Sequence, residues 1–174
     1  MLNSWSGFGQ CSETNPATVT ITSDITDHTF CAGETITFAT NPQHIGPNPT
    51  FQWRVNGVNR PGATNSTFPV SNLQDGHVIT VVMNPNCEGQ TAVTSNSITV
   101  KVNAIPSAPA ISGDNSVCAG DSINLSAINI SGATYSWTGP NGFTSPGKDL
   151  SRTGASTEMA GTYNVTATVN GCTS

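Results

Sequence analysis

The chain has 174 residues, of which only 9% are charged, with 5 Lys+Arg against 10 Asp+Glu and a formal net charge of −5. Nucleic-acid binding draws its affinity from clustered Lys and Arg, so that class is excluded. The largest apolar run, Val78-Ile79-Thr80-Val81-Val82-Met83, is far too short to span a bilayer, so no membrane insertion is expected.

In chain order, Met1 to Gln10 shows neither the basic start nor the apolar segment of a signal peptide. Either such a segment was removed or the numbering begins inside a longer protein. Gly9-Gln10-Cys11-Ser12 resembles Asn170-Gly171-Cys172-Thr173, so residues 1–16 read as a tail, the end of a preceding repeat, with Cys11 lacking its partner. From 17 to 103, Val19 and Ile21 alternate with Thr, followed by Ile36 and Phe38, then Phe51, Trp53 and Val55, then Ile98, Val100 and Val102. Period-two alternation of β-branched and aromatic residues predicts half-buried antiparallel strands. Asn56-Gly57 predicts a two-residue hairpin, because both central positions of that turn need positive φ. Residues 104–109, Ala-Ile-Pro-Ser-Ala-Pro, form a linker stiffer than a Gly/Ser tether.

Residues 110–174 repeat the first module. Phe30-Cys31-Ala32-Gly33-Glu34 returns as Val117-Cys118-Ala119-Gly120-Asp121; Trp53 has its counterpart in Trp137, and Cys87 in Cys172. The expected fold is all-β, two tandem antiparallel sandwiches in one chain. In the first module the cysteine after the penultimate strand is followed by another strand, Ser97 to Val102. Only Thr173 and Ser174 follow Cys172, so the second module is expected to lack its last strand. Its exposed edge predicts strand addition by neighbouring repeats or subunits.

Small modules gain from covalent staples. Closing either long cysteine-to-cysteine loop is worth on the order of 4 kcal/mol by chain entropy. The expected bridges are Cys31–Cys87 and Cys118–Cys172, each at one pole of its sandwich, placing the protein outside the reducing cytosol. No metal is expected: zinc sites show close ligand pairs, and no cysteine here has another within four residues. Asp24 with Asp27, and Asp114 with Asp121, lack the dense spacing that calcium requires.

The Cys-Ala-Gly-Glu/Asp openings, Phe51-Gln52-Trp53-Arg54-Val55-Asn56-Gly57, Tyr135-Ser136-Trp137-Thr138-Gly139-Pro140 and Ala160-Gly161-Thr162-Tyr163-Asn164-Val165 resemble the Ig-like and PKD-like repeats of large secreted Bacteroidota surface proteins. Such repeats occur in gliding and adhesion proteins exported by type IX secretion, and in polysaccharide-degrading enzymes. The resemblance implies an extracellular or cell-surface stalk built of Ig-like sandwiches. Met159 to Tyr163 matches the corner before strand F, where a Tyr hydroxyl bonds back to the main chain. Where an antibody domain carries its core cysteine, this chain has Val165, and in the first module Val78 is expected to replace the corner tyrosine.

Candidate chemistry is thin. The acids are scattered and no histidine stands at triad or metal spacing, so no catalytic residue and no cofactor are assigned. Trp53 and Trp137 read as core. Trp5, Phe8 and Phe143 are the candidate exposed rings for a glycan. Asn65, Asn124, Asn129 and Asn164 head Asn-x-Ser/Thr patterns. Asp121-Ser122-Ile123 resembles a Bacteroidota O-glycosylation acceptor, making Ser122 the candidate residue. The expected function is a non-catalytic, adhesive or filament-forming repeat segment of a secreted or cell-surface bacterial protein. The alternative is an accessory carbohydrate-binding module of an extracellular polysaccharide-degrading enzyme.

Overall fold

The computed structural model describes residues 15–174; Trp5, Phe8 and Cys11 lie outside the described residues. The chain divides into two compact units, the first ending at Asn103 and the second beginning at Ala104.

Unit 1 is built from β1 (Thr18–Ser23), β2 (Thr29–Cys31), β3 (Ile36–Gln43), β4 (Thr50–Val55), β5 (Val58–Asn59), β6 (Thr67–Val70), β7 (Val78–Asn84), β8 (Val93–Thr94), β9 (Ile98–Thr99) and β10 (Lys101–Asn103). One antiparallel sheet has the order β1-β3-β6; the other runs β5-β4-β7, with β8 and β9 both paired along the outer edge of β7. The inward residues of both sheets merge in one core: Val19 and Ile21 from β1, Ile36 and Phe38 from β3, Trp53 and Val55 from β4, and Ile79, Val81 and Met83 from β7. Consecutive strands divided between two facing sheets in this order make an Ig-like sandwich. Burying one such side chain contributes roughly 1.5–3 kcal/mol, which is why the alternation decides the faces.

Local sequence sets the turns. Asn56 (φ 51) and Gly57 (φ 76) both take the left-handed region, and Val55 pairs with Val58 across the turn, as the Asn-Gly signal predicts. The repeated Cys-Ala-Gly-acid motif is a β-turn in both units. The Glu34 N–H donates to the Cys31 carbonyl and the Asp121 N–H to that of Cys118, each at 3.1 Å. Gly33 (φ 85) and Gly120 (φ 93) fill the position that needs a glycine.

One pairing departs from a purely antiparallel expectation. At Asp24 the chain leaves β3, and β2 crosses to lie parallel to β10, with Val102 opposite Phe30 and Asn103 opposite Cys31. Alternation reveals which face a residue takes, but it carries no sign of strand direction.

Unit 2 repeats the plan with β11 (Ile111–Gly113), β12 (Ile123–Ala127), β13 (Thr134–Gly139), β14 (Phe143–Pro146), β15 (Asp149–Arg152), β16 (Asn164–Val169) and β17 (Cys172–Thr173). Its sheets are β11-β12-β15 and β14-β13-β16-β17. Trp137 faces Val165 across β13–β16, as Trp53 faces Val81 across β4–β7. Both tryptophans are fully buried, and each ring N–H donates to a main-chain carbonyl at 2.9 Å, that of Asn65 in unit 1 and Gly147 in unit 2. The same register sets Ile79, rather than Val78, at the place of Tyr163, so a buried aliphatic side chain replaces the tyrosine in unit 1.

The expected cysteine pairs do not form. Cys31, Cys87 and Cys172 are disulfide-bonded, whereas Cys118 is a free, exposed thiol. In unit 1 the chain enters β3 from Cys31, beside Asn103, and Cys87 sits past the end of β7, with its Sγ 3.9 Å from the carbonyl of His44, just beyond the other end of β3. A strand of that length spans roughly 25 Å, while a disulfide needs Cα atoms within about 7 Å. Cys31 and Cys87 therefore occupy opposite poles. Topology dictates this, because the strand after Cys31 and the strand before Cys87 run in the same direction through facing sheets. The Cys118–Cys172 expectation fails for the same reason.

Candidate functional site

The most built-up side-chain cluster lies in unit 2 around Tyr163. Its hydroxyl donates to the Met159 carbonyl at 3.0 Å, forming the corner that the sequence predicts. The same oxygen accepts from Arg152 Nη1 at 2.7 Å. Arg152 ends β15 in one sheet and reaches to the other, its guanidinium carbon 4.1 Å from the centroid of the Phe143 ring and 5.9 Å from that of Tyr163. Phe143 meets Tyr163 edge-on at 6.2 Å. A guanidinium over an aromatic face is worth roughly 0.5–1 kcal/mol at an exposed site. Gly139 makes room for this stack: a Cβ there would stand 2.7 Å from Tyr163 Cε1.

Phe143 therefore does not sit on a free loop. It opens β14, is half-buried, and has one ring face under Arg152. That face is not the bare platform a pyranose ring stacks on. In the sequence the only signal for Arg152 is its rarity, as one of five basic residues in the chain.

A shallow hollow of about 340 Å³ lies against β11, β12 and β15, lined by Ser112, Gly113, Asn124, Ser126, Asp149 and Ser151 among others. Its polar groups bond to each other. Lys148 Nζ lies 2.8 Å from Asp149 Oδ1 and 3.1 Å from the Ser126 hydroxyl, and the Ser151 hydroxyl donates to Asn124 Oδ1 at 2.8 Å. Hydrogen bonds from Lys148 and Ser126 hold the Asp149 carboxyl below the ordinary carboxylate range. The Lys148–Asp149 pair is exposed, so it adds little stability.

In unit 1 four acids serve the backbone. Asp24 Oδ1 accepts from the Thr37 N–H, Glu34 Oε2 from Cys31, Asp27 Oδ1 from Thr29 and Asp75 Oδ1 from Val102. His28 Nδ1 lies within hydrogen-bond distance of the Ser23 hydroxyl and the Ile25 carbonyl, and His77 Nδ1 accepts from the Gln74 N–H. Among the described residues no three His, Cys, Asp or Glu side chains gather into a metal-binding group. No described helix is long and apolar enough to cross a membrane. Ser122 is half-buried, one position before β12.

No protein-family model matches the chain, and no curated protein matches it. Among solved structures it is similar to the three N-terminal domains of the Highly Immunogenic Outer Capsid protein of bacteriophage RB49, with a TM-score of 0.47 and 17% identity over 88% of this chain and 55% of that one. The chain thus spans about half of that structure. It is also similar to murine CEACAM1b, with a TM-score of 0.42 and 14% identity over 89% of this chain and 94% of that one. A third similarity is to the amphioxus IgVJ-C2 molecule, with a TM-score of 0.37 and 17% identity over 84% and 95% of the two chains.

Proposed function

We propose that this chain is a non-catalytic Ig-like segment of a secreted or cell-surface bacterial protein, serving as an adhesive or filament-forming stalk. The observation that carries the reading is the same sandwich built twice, with three of its cysteines oxidised and no three described His, Cys, Asp or Glu side chains gathered together. Disulfides persist outside the reducing cytosol, which supports an extracellular location. The finer assignment, to repeats of Bacteroidota surface proteins exported by type IX secretion, is supported by the motif resemblance. Glycan attachment at Ser122 belongs to the same proposal.

Beads coated with the purified chain provide the test. Coated beads are expected to adhere to cells or glass more strongly than beads carrying reduced, alkylated chain, and the chain itself is expected to turn over no glycan, peptide or ester. Retention on insoluble polysaccharide, lost on Trp5→Ala, Phe8→Ala or Phe143→Ala, would overturn the reading in favour of a carbohydrate-binding module.

A further inference from the structure

One flank of unit 1 is shut by side chains rather than by a strand. β1 is the end strand of its sheet, with β3 on its inner side. The Thr40 N–H, opposite Ile21 in the register, turns away to the Ser66 carbonyl at 2.9 Å. Backbone groups alternate sides along a strand, so the N–H and C=O of Ile21 face outward from β3. There the Ala17 N–H donates to Gln90 Oε1 and the Ile21 N–H to Asn96 Oδ1, each at 2.7 Å. Asn96 Nδ2 donates back to the Ile21 carbonyl at 3.3 Å. A single side-chain amide thus makes both bonds that a neighbouring main chain would make.

Both amides come from the segment that lines β7. Gln90 precedes β8 and Asn96 follows it. Ala17 meets Gln90, Ile21 meets Asn96, and Thr29–Cys31 pair with Lys101–Asn103, so this segment advances in the same direction as β1 and β2. Ser95 and Asn96 divide the work between the sheets. The Ser95 hydroxyl accepts the Val81 N–H and the Ser95 N–H donates to the Val81 carbonyl, both at 3.0 Å, while Asn96 turns to β1. The edge of β1 has no guard of its own. Thr18–Ser23 alternates threonine with apolar residues and holds neither charge nor proline, whereas the end strand β6 carries Pro69 and β5 is two residues long. An uncharged edge of this kind is a template for another chain.

We infer that the amides of Asn96 and Gln90 form a latch over the β1 edge, and that opening it exposes a pairing surface for β1 of a second copy. The occupant follows from the strand itself. Two copies of one edge meet about a two-fold axis as an antiparallel pair, and Thr18, Thr20 and Thr22 then face threonines across the ladder. The inference is independent of the adhesive reading, since it concerns how the first sandwich closes.

The test uses the whole 174-residue chain. Asn96→Leu keeps the size of the side chain and removes its amide. It is expected to speed hydrogen exchange at the Ile21 amide about tenfold or more, while the Trp53 amide, bonded to the Ala63 carbonyl, stays protected and reports that unit 1 is folded. Asn96→Asp keeps the acceptor and is expected to hold Ile21 near its unsubstituted protection. The double variant Gln90→Ala, Asn96→Ala is expected to shift towards dimer in sedimentation relative to the unsubstituted chain, with Ile21 protection returning as concentration rises. Unchanged Ile21 exchange in Asn96→Leu would overturn the latch, and so would equal loss of protection in Asn96→Asp and Asn96→Leu. No gain of dimer in the double variant, or a dimer in which Ile21 still exchanges fast, would overturn the pairing surface.

Discussion

Arg152 and Gly139 show how single residues decide the corner of unit 2. The guanidinium spans the sheets because Phe143 offers a ring face and Tyr163 a hydroxyl, and the tyrosine lies flat because Gly139 has no Cβ. Gly139→Ala is expected to destabilise unit 2 by about 1–3 kcal/mol, read as a lower urea midpoint for that unit alone, because the ring must move to admit a methyl group. Tyr163→Phe removes an acceptor for Arg152 and a donor to Met159, and is expected to cost roughly 1–2 kcal/mol. Asp149 offers a pH signature. Its carboxyl is held down by Lys148 and Ser126, so what it contributes is present above the ordinary carboxylate pKa and is lost as pH falls through its depressed value. An NMR titration is expected to place its midpoint below the ordinary carboxylate range, and Lys148→Met is expected to raise it.

At the scale of elements, the strands were legible because alternation is a local record of burial. Val19, Ile21, Ile36, Phe38, Trp53 and Val55 all lie inward as their period of two requires. The Asn56-Gly57 turn was legible because few residue pairs tolerate two positive φ values in succession. Gly57→Ala is accordingly expected to cost unit 1 about 1 kcal/mol, measured by urea denaturation, through strain at φ 76 rather than through crowding, since no atom lies near a Cβ there. The parallel β2–β10 pair and the reach of Arg152 were not legible, because both join segments distant in sequence. The cysteine pairs failed for a related reason. Loop entropy says what closing a loop is worth, but nothing about whether the two ends of that loop meet. Cys31 enters a strand at one pole and Cys87 leaves another at the opposite pole, a fact about strand direction that no spacing encodes.

For the molecule as a whole, the two sandwiches share a plan but differ in how much core they hold. Calorimetry is expected to resolve two transitions, with the lower-melting one moved selectively by Gly139→Ala. In the folded, unreduced chain, iodoacetamide is expected to modify Cys118 and to leave Cys31, Cys87 and Cys172 unmodified, a pattern that peptide mass mapping reads directly.

The parallel β2–β10 pair has a mechanical meaning for unit 1. Tension between residues upstream of Thr29 and residues downstream of Asn103 pulls the two strands along their own axes in opposite directions. Every hydrogen bond of that short ladder then carries load at once, as a lap joint does, whereas an antiparallel hairpin pulled from its two free ends opens like a zip, one bond after another. Unit 1 thus resists a steady pull along the chain until the whole ladder slides together.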